Sequence, residues 1–391
     1  MKLIEIDLAE PDVTQPLGSA GRQWLCRDIY GTLHATYNKH FDTGNAWRIM
    51  HAWSTDNGDT WSIEEVFSWA AGTCMDGCIA ADSLGNVYIL FEARDGSTRY
   101  LKSARLTGAF WTVEDVCSWT AYGSGFYASP CIAIDSLNTI HCVFGTRTAS
   151  SSYQLLHVRY FAASWLLPTI ITSGNSRYHQ IAMTLDGSDV LHLVERTSAS
   201  NDLYYWYYNG VWNSGGVIGS DYTIDQVVCE AGGDLVVISS SSTVLSCIRK
   251  PSGSGWNPRE TIISAPSYIS GFATLAVSGI VVPALLQTEY PVPSEFDVQT
   301  FRRDGGWSGS VLEHYLGDVE WSWGRALYSL YPGDYGKVQA DEIMALFEGY
   351  KQDPVWDYGI WYLQFVGVFA PPVTGIKEAN ISNRLVAMRA I

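Results

Sequence analysis

Charge is scarce in this chain, and positive charge scarcest. Of 391 residues only 16% are charged, 24 Lys+Arg against 40 Asp+Glu, for a formal net charge of −16. An ordinary soluble domain carries roughly a quarter charged residues. A surface this poor in Lys and Arg cannot neutralise a phosphate backbone, which excludes nucleic acid as the partner. It is equally unsuited to an anionic membrane surface. No apolar run approaches the ~20 residues of a bilayer span, so membrane insertion is not expected. A secretory leader is not expected either, because Met1-Lys-Leu-Ile-Glu-Ile-Asp7 carries acid inside its one short apolar stretch. Cytoplasmic synthesis is the expectation. Zinc spacing is absent too: Cys74-Met-Asp-Gly-Cys78 has no second Cys or His pair, so neither a metal nor a cofactor is expected. Cys26, Cys74, Cys78, Cys117, Cys131, Cys142, Cys229 and Cys247 lie mostly in apolar runs and read as buried free thiols.

What the chain has in excess is aromatic residues, 13% of the total with 16 Trp, 23 Tyr and 13 Phe. Much of that excess is periodic. An Asp is followed three residues later by a turn residue and six later by His or Tyr: Asp28/Gly31/His34, Asp82/Gly85/Tyr88, Asp135/Asn138/His141 and Asp186/Asp189/His192. Degenerate copies start at Glu230 and Ala276, giving a period of about fifty residues. Each copy reads as a strand, a tight Asx or Gly turn and a second strand. Trp61, Trp111, Trp165, Trp212, Trp256 and Trp307 keep step with these turns, each in a short polar or Gly-containing turn before a further strand. Four short strands per unit with no helical periodicity predict an all-β chain, a seven-bladed β-propeller of four-stranded antiparallel blades. The innermost strands are expected near 23–28, 77–82, 130–135, 180–186, 225–230, 271–277 and 324–330. The propeller is assigned to residues 1–370, with Leu3–Leu8 closing the last blade, and 371–391 to a C-terminal extension.

One turn carries a more specific signal. Ser54-Thr-Asp56-Asn-Gly58-Asp-Thr60-Trp61 is similar to the Asp-box, S-x-D-x-G-x-T-W, of sialidases and related BNR-repeat propellers. The Asp and Ser side chains can bond turn amides, and Gly supplies a positive φ. The whole chain resembles a BNR/sialidase-like propeller at blade level, and Leu203–Gly216 resembles blades of propeller lectins. In such families the Asp-box is structural and lies away from the ligand face, so Ser54, Asp56, Gly58, Thr60 and Trp61 are assigned to the fold.

The ligand face of a propeller is built by second-to-third strand loops and blade-to-blade loops. Arg94, Arg147 and Arg196 end three successive second strands; they suit either a cradle for acidic sugar or plain surface compensation of local acid. Tyr127, Tyr178, His179, Tyr268, Trp321 and Trp323 enter the innermost strands and suit either sugar stacking or packing between blades. His34, His141 and His192 share one repeat position, which points to packing, since a catalytic residue is needed only once. The resemblance to sialidases also raises Tyr328 as nucleophile with Glu195, Glu92 or Asp76 as partner or acid, and resemblance to polysaccharide lyases raises His179 with Tyr178. Against the sialidase reading stand the missing early Arg-Ile-Pro motif, a single intact Asp-box and seven blades in place of six.

Glycan binding on one face is the expected task, recognising cell-surface or acidic glycans, in a setting such as a bacteriophage virion or tail component. The alternatives are a glycan-cleaving enzyme, either hydrolase or lyase, and a structural assembly platform. In the last case, other virion proteins or further copies of the chain would be contacted through the C-terminal extension.

Overall fold

The computed structural model describes residues 2–8, 23–41, 46–69, 72–120, 130–149, 152–174, 178–197, 200–221, 223–229, 233–240, 244–264, 269–272, 275–276, 280–287, 295–303, 307–316, 319–320, 342–353 and 355–366. Side chains are described for Ile6 and for most of residues 23–264. Among these residues all regular structure is β, and no helix occurs.

The strands form seven antiparallel sheets, five of four strands and two of five. The first holds Leu25–Arg27, Leu33–Phe41, Ala46–Ser54 and Ser62–Trp69; the second Thr73–Ala81, Val87–Asp95, Thr98–Thr107 and Phe110–Thr120. The third holds Cys131–Ile134, Ile140–Ala149 and Ser152–Phe161, with its outer strand split into Ser164–Trp165 and Thr169–Gly174. The fourth holds Tyr178–Leu185, Leu191–Thr197, Asp202–Tyr208 and Trp212–Ser220; the fifth Thr223–Cys229, Leu235–Ser240, Val244–Lys250 and Glu260–Ser264. The sixth splits its first strand into Ile269–Phe272 and Leu275–Ala276, followed by Ile280–Gln287, Glu295–Arg303 and Trp307–Leu316. The seventh pairs Val319–Glu320, Glu342–Asp353 and Val355–Val366, and Lys2–Leu8 is its outermost strand, running from Lys2 opposite Gln364 to Leu8 opposite Gly359. The innermost strand expected at 324–330 lies outside the described residues.

First strands of neighbouring sheets lie side by side. Gln23 links three of them: its carbonyl accepts from the Ile79 N–H at 2.7 Å, and its side-chain oxygen from the Ile132 N–H at 2.7 Å. Strand alternation then sends one face of each sheet to each neighbour. Ile89 and Phe91 pack toward Cys26 and Ile49 of the first sheet, while Tyr88 and Leu90 pack toward Ile132, Cys142 and Phe144 of the third. Leu191 and Leu193 face Val143, Tyr153 and Leu155 of the third; Val194 and Tyr205 face Val227, Val237 and Ile248 of the fifth. The core is therefore a series of slabs between sheets, each buried Leu, Ile or Phe contributing about 1.5–3 kcal/mol. Seven of the eight cysteines are buried and all eight are free.

The repeated Asp explains the turns. Asp135 Oδ1 accepts from the Leu137 and Thr139 N–H groups at 3.0 and 2.7 Å, and Asp28, Asp82 and Asp186 repeat the pattern. The fourth turn residue takes positive φ in each case: Gly31 (89°), Gly85 (82°), Asn138 (62°) and Asp189 (61°). Neighbouring turns are hooked together, because the Ser83 N–H and hydroxyl both donate to Asn138, and those of Ser136 to Asp189.

The other carboxylate oxygen of each Asp starts a polar column through its sheet. Asp28 Oδ2 meets His34 Nε2 at 3.4 Å, His34 Nδ1 meets His51 Nε2 at 2.9 Å, and His51 Nδ1 meets Glu64 at 2.9 Å. The third sheet repeats this with Asp135, His141 and His157, the fourth with Asp186, His192 and Tyr205. The repeat Trp of the next sheet docks on the column: the Trp111 indole N–H donates to Glu64 at 2.7 Å and that of Trp212 to His157 at 3.1 Å. Trp165 donates to Glu114 of the second sheet at 3.0 Å, and Trp256 stands edge-on to Tyr205 at 5.0 Å. These Trp therefore fasten sheet to sheet. Trp111, Trp165, Trp212 and Trp307 moreover lie in their outer strands, where the sequence places them in the preceding turns.

Candidate functional site

The end of the sheets away from the Asp turns carries the three arginines. Along the second strands, Arg94 and Arg147 are both the sixth residue after the repeat residues Tyr88 and His141, whereas Arg196 is the fourth after His192. All three point to the same side of their sheets, but Arg196 is set back by one pair of residues. Each is held through its Nε. That of Arg94 donates to the Gly96 carbonyl at 2.8 Å, and that of Arg147 to the Ala149 carbonyl at 3.2 Å while its guanidinium lies 5.2 Å over Tyr153. Arg196 instead turns to the connection between the fourth and fifth sheets, with Nε donating to the Asp221 carbonyl at 3.0 Å and a terminal nitrogen donating to Asn201. The bonds to Asp221 and Asn201 hold the Arg196 guanidinium against the connection that leads to the fifth sheet, whereas Arg94 and Arg147 carry a planar guanidinium, suited to a carboxylate, at the sheet end.

Acid lies buried at the same end. Glu92 and Arg99 form an ion pair with both side chains almost wholly enclosed, and Arg99 stands opposite Arg94 across the strands. Asp76, 1% exposed, sits at an irregularity in the first strand of the second sheet with φ 58°, a conformation that costs of order 1–3 kcal/mol and persists only where its surroundings enforce it. Glu195, 2% exposed, occupies the position held by Phe91 and Phe144 in the two preceding sheets. Its Oε1 accepts from the Trp206 indole at 2.9 Å, and its Oε2 has no hydrogen-bond partner among the described residues. Burial pushes its pKa up to about 7, against the pull of the Trp206 bond. Sharing a face with Leu191 and Leu193, Glu195 looks toward the third sheet, the direction from which Arg147 and Tyr153 look back.

Of the aromatic candidates, Tyr127, Tyr268, Trp321 and Trp323 lie outside the described residues, as does Tyr328. Tyr178 and His179 fall in the first strand of the fourth sheet, their side chains undescribed. Arg99, Tyr153 and Trp206 were not singled out in the sequence; the signal for all three was register, since each is on a third strand opposite or next to a named second-strand residue. His34, His141 and His192 are column members on the turn side. In the turn at 54–61, Asp56 accepts from the Ser54 hydroxyl at 2.7 Å, the Thr60 hydroxyl at 2.6 Å and the Thr60 N–H at 2.9 Å, with Gly58 at φ 83°. These bonds, the Thr60 hydroxyl first, hold the Asp56 carboxyl well below the usual carboxylate range.

Neither a protein-family model nor a curated protein sequence matches the chain. Solved structures do. A polysaccharide lyase, the PL25 ulvanlyase, is similar at TM-score 0.60 and 11% identity over 94% of this chain and 96% of its own. The polysaccharide lyase Uly1 is similar at TM-score 0.53 and 10% identity over 93% and 92% of the two chains. The leech intramolecular trans-sialidase, complexed with 2,7-anhydro-Neu5Ac, is similar at TM-score 0.51 and 13% identity over 94% and 70%. At such identities the likeness concerns the fold alone: the chain has a sialidase-like propeller fold.

Proposed function

We propose that the chain is a seven-bladed propeller, closed by pairing of Lys2–Leu8 with the last sheet, that binds acidic glycan at the end of the sheets carrying Arg94 and Arg147. The observation that carries this reading is their common position: two arginines on adjacent sheets at the same register, each anchored through Nε to the carbonyl two residues on. Anchoring at Nε fixes the direction of each guanidinium, the planar group whose fork matches a carboxylate. The similar ulvanlyase has been solved bound to -[GlcA(1-4)Rha3S]-, and GlcA is a uronic acid, so an acidic saccharide is consistent with this fold. A virion or cell-surface setting, and an Asp-box role for the turn at 54–61, belong to the same reading. A glycan array probed with the wild type and with Arg94→Ala and Arg147→Ala tests it. Weakening of acidic-glycan signals by at least about tenfold is expected, roughly one charge-assisted contact; unchanged signals would refute it.

Glu195 favours a second reading, a glycan-cleaving enzyme. A buried carboxyl with a pKa near 7 and a free oxygen is suited to carry a proton, and it looks toward the face from which Arg147 projects. Incubation with uronate polysaccharides and sialosides, read as unsaturated uronate or new reducing ends, decides between them. Turnover abolished in Glu195→Gln supports the enzyme; no turnover with either substrate class removes it.

A further inference from the structure

The opposite end of the third and fourth sheets holds a groove of about 500 Å³ that the reading above does not use. It lies between the turns 135–139 and 186–190 and is closed at the sides by Arg159, Phe161, Tyr208 and Asn209. Arg159 is its distinctive member. The guanidinium carbon lies 5.6 Å over the Tyr208 ring, and the group makes no hydrogen bond or ion pair among the described residues. In a protein with 24 Lys+Arg and a net charge of −16, an arginine held over an aromatic ring with its N–H donors unspent among the described residues is available to a ligand. The fifth sheet uses its equivalent, Arg249, in an ion pair with Asp234. Between the first and second sheets the corresponding space is filled by the Tyr30 ring, which would lie 2.5 Å from a Cβ placed on Gly85. Here Leu137, 79% exposed, leaves it open.

We infer that this groove binds a neutral pyranose ring. Three features select that class. The exposed faces of Phe161 and Leu137 offer apolar surface to the C–H face of a sugar. Arg159 and the Asn209 amide N–H groups offer donors, and Asp189, whose oxygens each accept one bond from Ser136, has lone pairs left for hydroxyl protons. The carboxylates of Asp135 and Asp189 beside Arg159 oppose a second negative charge, so an uncharged polyol fits better than a uronate or sulfate.

The test uses the full chain and a panel of methyl pyranosides of glucose, galactose, mannose and fucose, with methyl glucuronide as the acidic counterpart, read by saturation-transfer NMR and titration. At least one neutral pyranoside is expected to bind. Arg159→Ala, removing the donor, and Ser188→Trp, filling the groove from the fourth sheet, should each weaken it by about tenfold or more, with the wild-type thermal melt retained. Should one variant lose that melt, the other decides. No neutral ligand bound by the wild type, binding unchanged in the variants, or binding of the glucuronide alone would overturn the inference. Acidic-glycan binding at the Arg94 end should be unaffected by both variants, so the two proposals fail separately.

Discussion

Trp111 distinguishes a fastener from a ligand platform. Its indole N–H donates to Glu64 Oε1 at 2.7 Å, and its ring stands edge-on to His51 at 5.0 Å, so one side chain of the second sheet closes the polar column of the first. Trp111→Phe keeps most of the ring and removes the donor. A hydrogen bond to a charged group is worth about 1.5–3 kcal/mol when enclosed. The Glu64 side chain is 35% exposed and keeps its bond to His51, so water offsets part of the loss and about 1 kcal/mol is expected. Trp111→Ala also removes the ring contact with His51 and should cost about 3 kcal/mol. With an unfolding entropy of about 2 cal/mol/K per residue, a chain of this length loses roughly 1 °C of melting temperature for the first change and 4 °C for the second. A double-mutant cycle with Glu64→Gln, measured by urea unfolding, should return a coupling of about 1 kcal/mol, while binding of any glycan stays as in the wild type. If Trp111→Phe matches the wild type within about 0.3 kcal/mol and adds independently to Glu64→Gln, the fastening role is wrong.

Glu195 and His51 should tilt stability with pH in opposite directions. Burial raises the Glu195 pKa to about 7, so the fold holds a proton that the unfolded chain releases; stability falls as pH rises from about 4.5 to 7, and Glu195→Gln should gain roughly 3 kcal/mol at pH 8 and little at pH 4.5, read by urea unfolding at both pH values. Burial lowers the His51 pKa to about 4, against the pull of Glu64, so between about 6.5 and 4 the unfolded chain binds a proton that the fold does not. Stability is lost on acidification through that window, and in His51→Gln the slope of unfolding free energy against pH should fall by about one proton; an unchanged slope would exclude His51 as its source. Arg196→Ala should cost about 1–2 kcal/mol by severing the tie to Asp221 and Asn201, with acidic-glycan binding retained on the array; lost binding at unchanged stability would return Arg196 to the cradle.

The legible part of this fold was the part whose chemistry repeats at fixed spacing. Asp135 and His141 are six residues apart because one carboxylate serves both the turn amides and the first ring of the column, so residue types and interval are imposed together. The next column members, His51, His157 and Tyr205, occupy the same register position, facing the residue two beyond His34, His141 and His192. They lie 17, 16 and 13 residues from those first rings, because the connections between strands differ in length, and no interval betrays them. The Trp were visible as a series, yet their partners belong to the preceding sheet, some fifty residues away, and only packing reveals that. Arg196 shows which end of a strand sets position. All three arginines lie within two residues of the end of their second strand. Measured from the Asp turn, whose geometry sets the register, Arg196 falls two residues short and bonds Asp221 in the connection to the fifth sheet. In a repeat fastened at its turns, position is set by distance from the fastening, so equivalence of site residues has to be judged from that end.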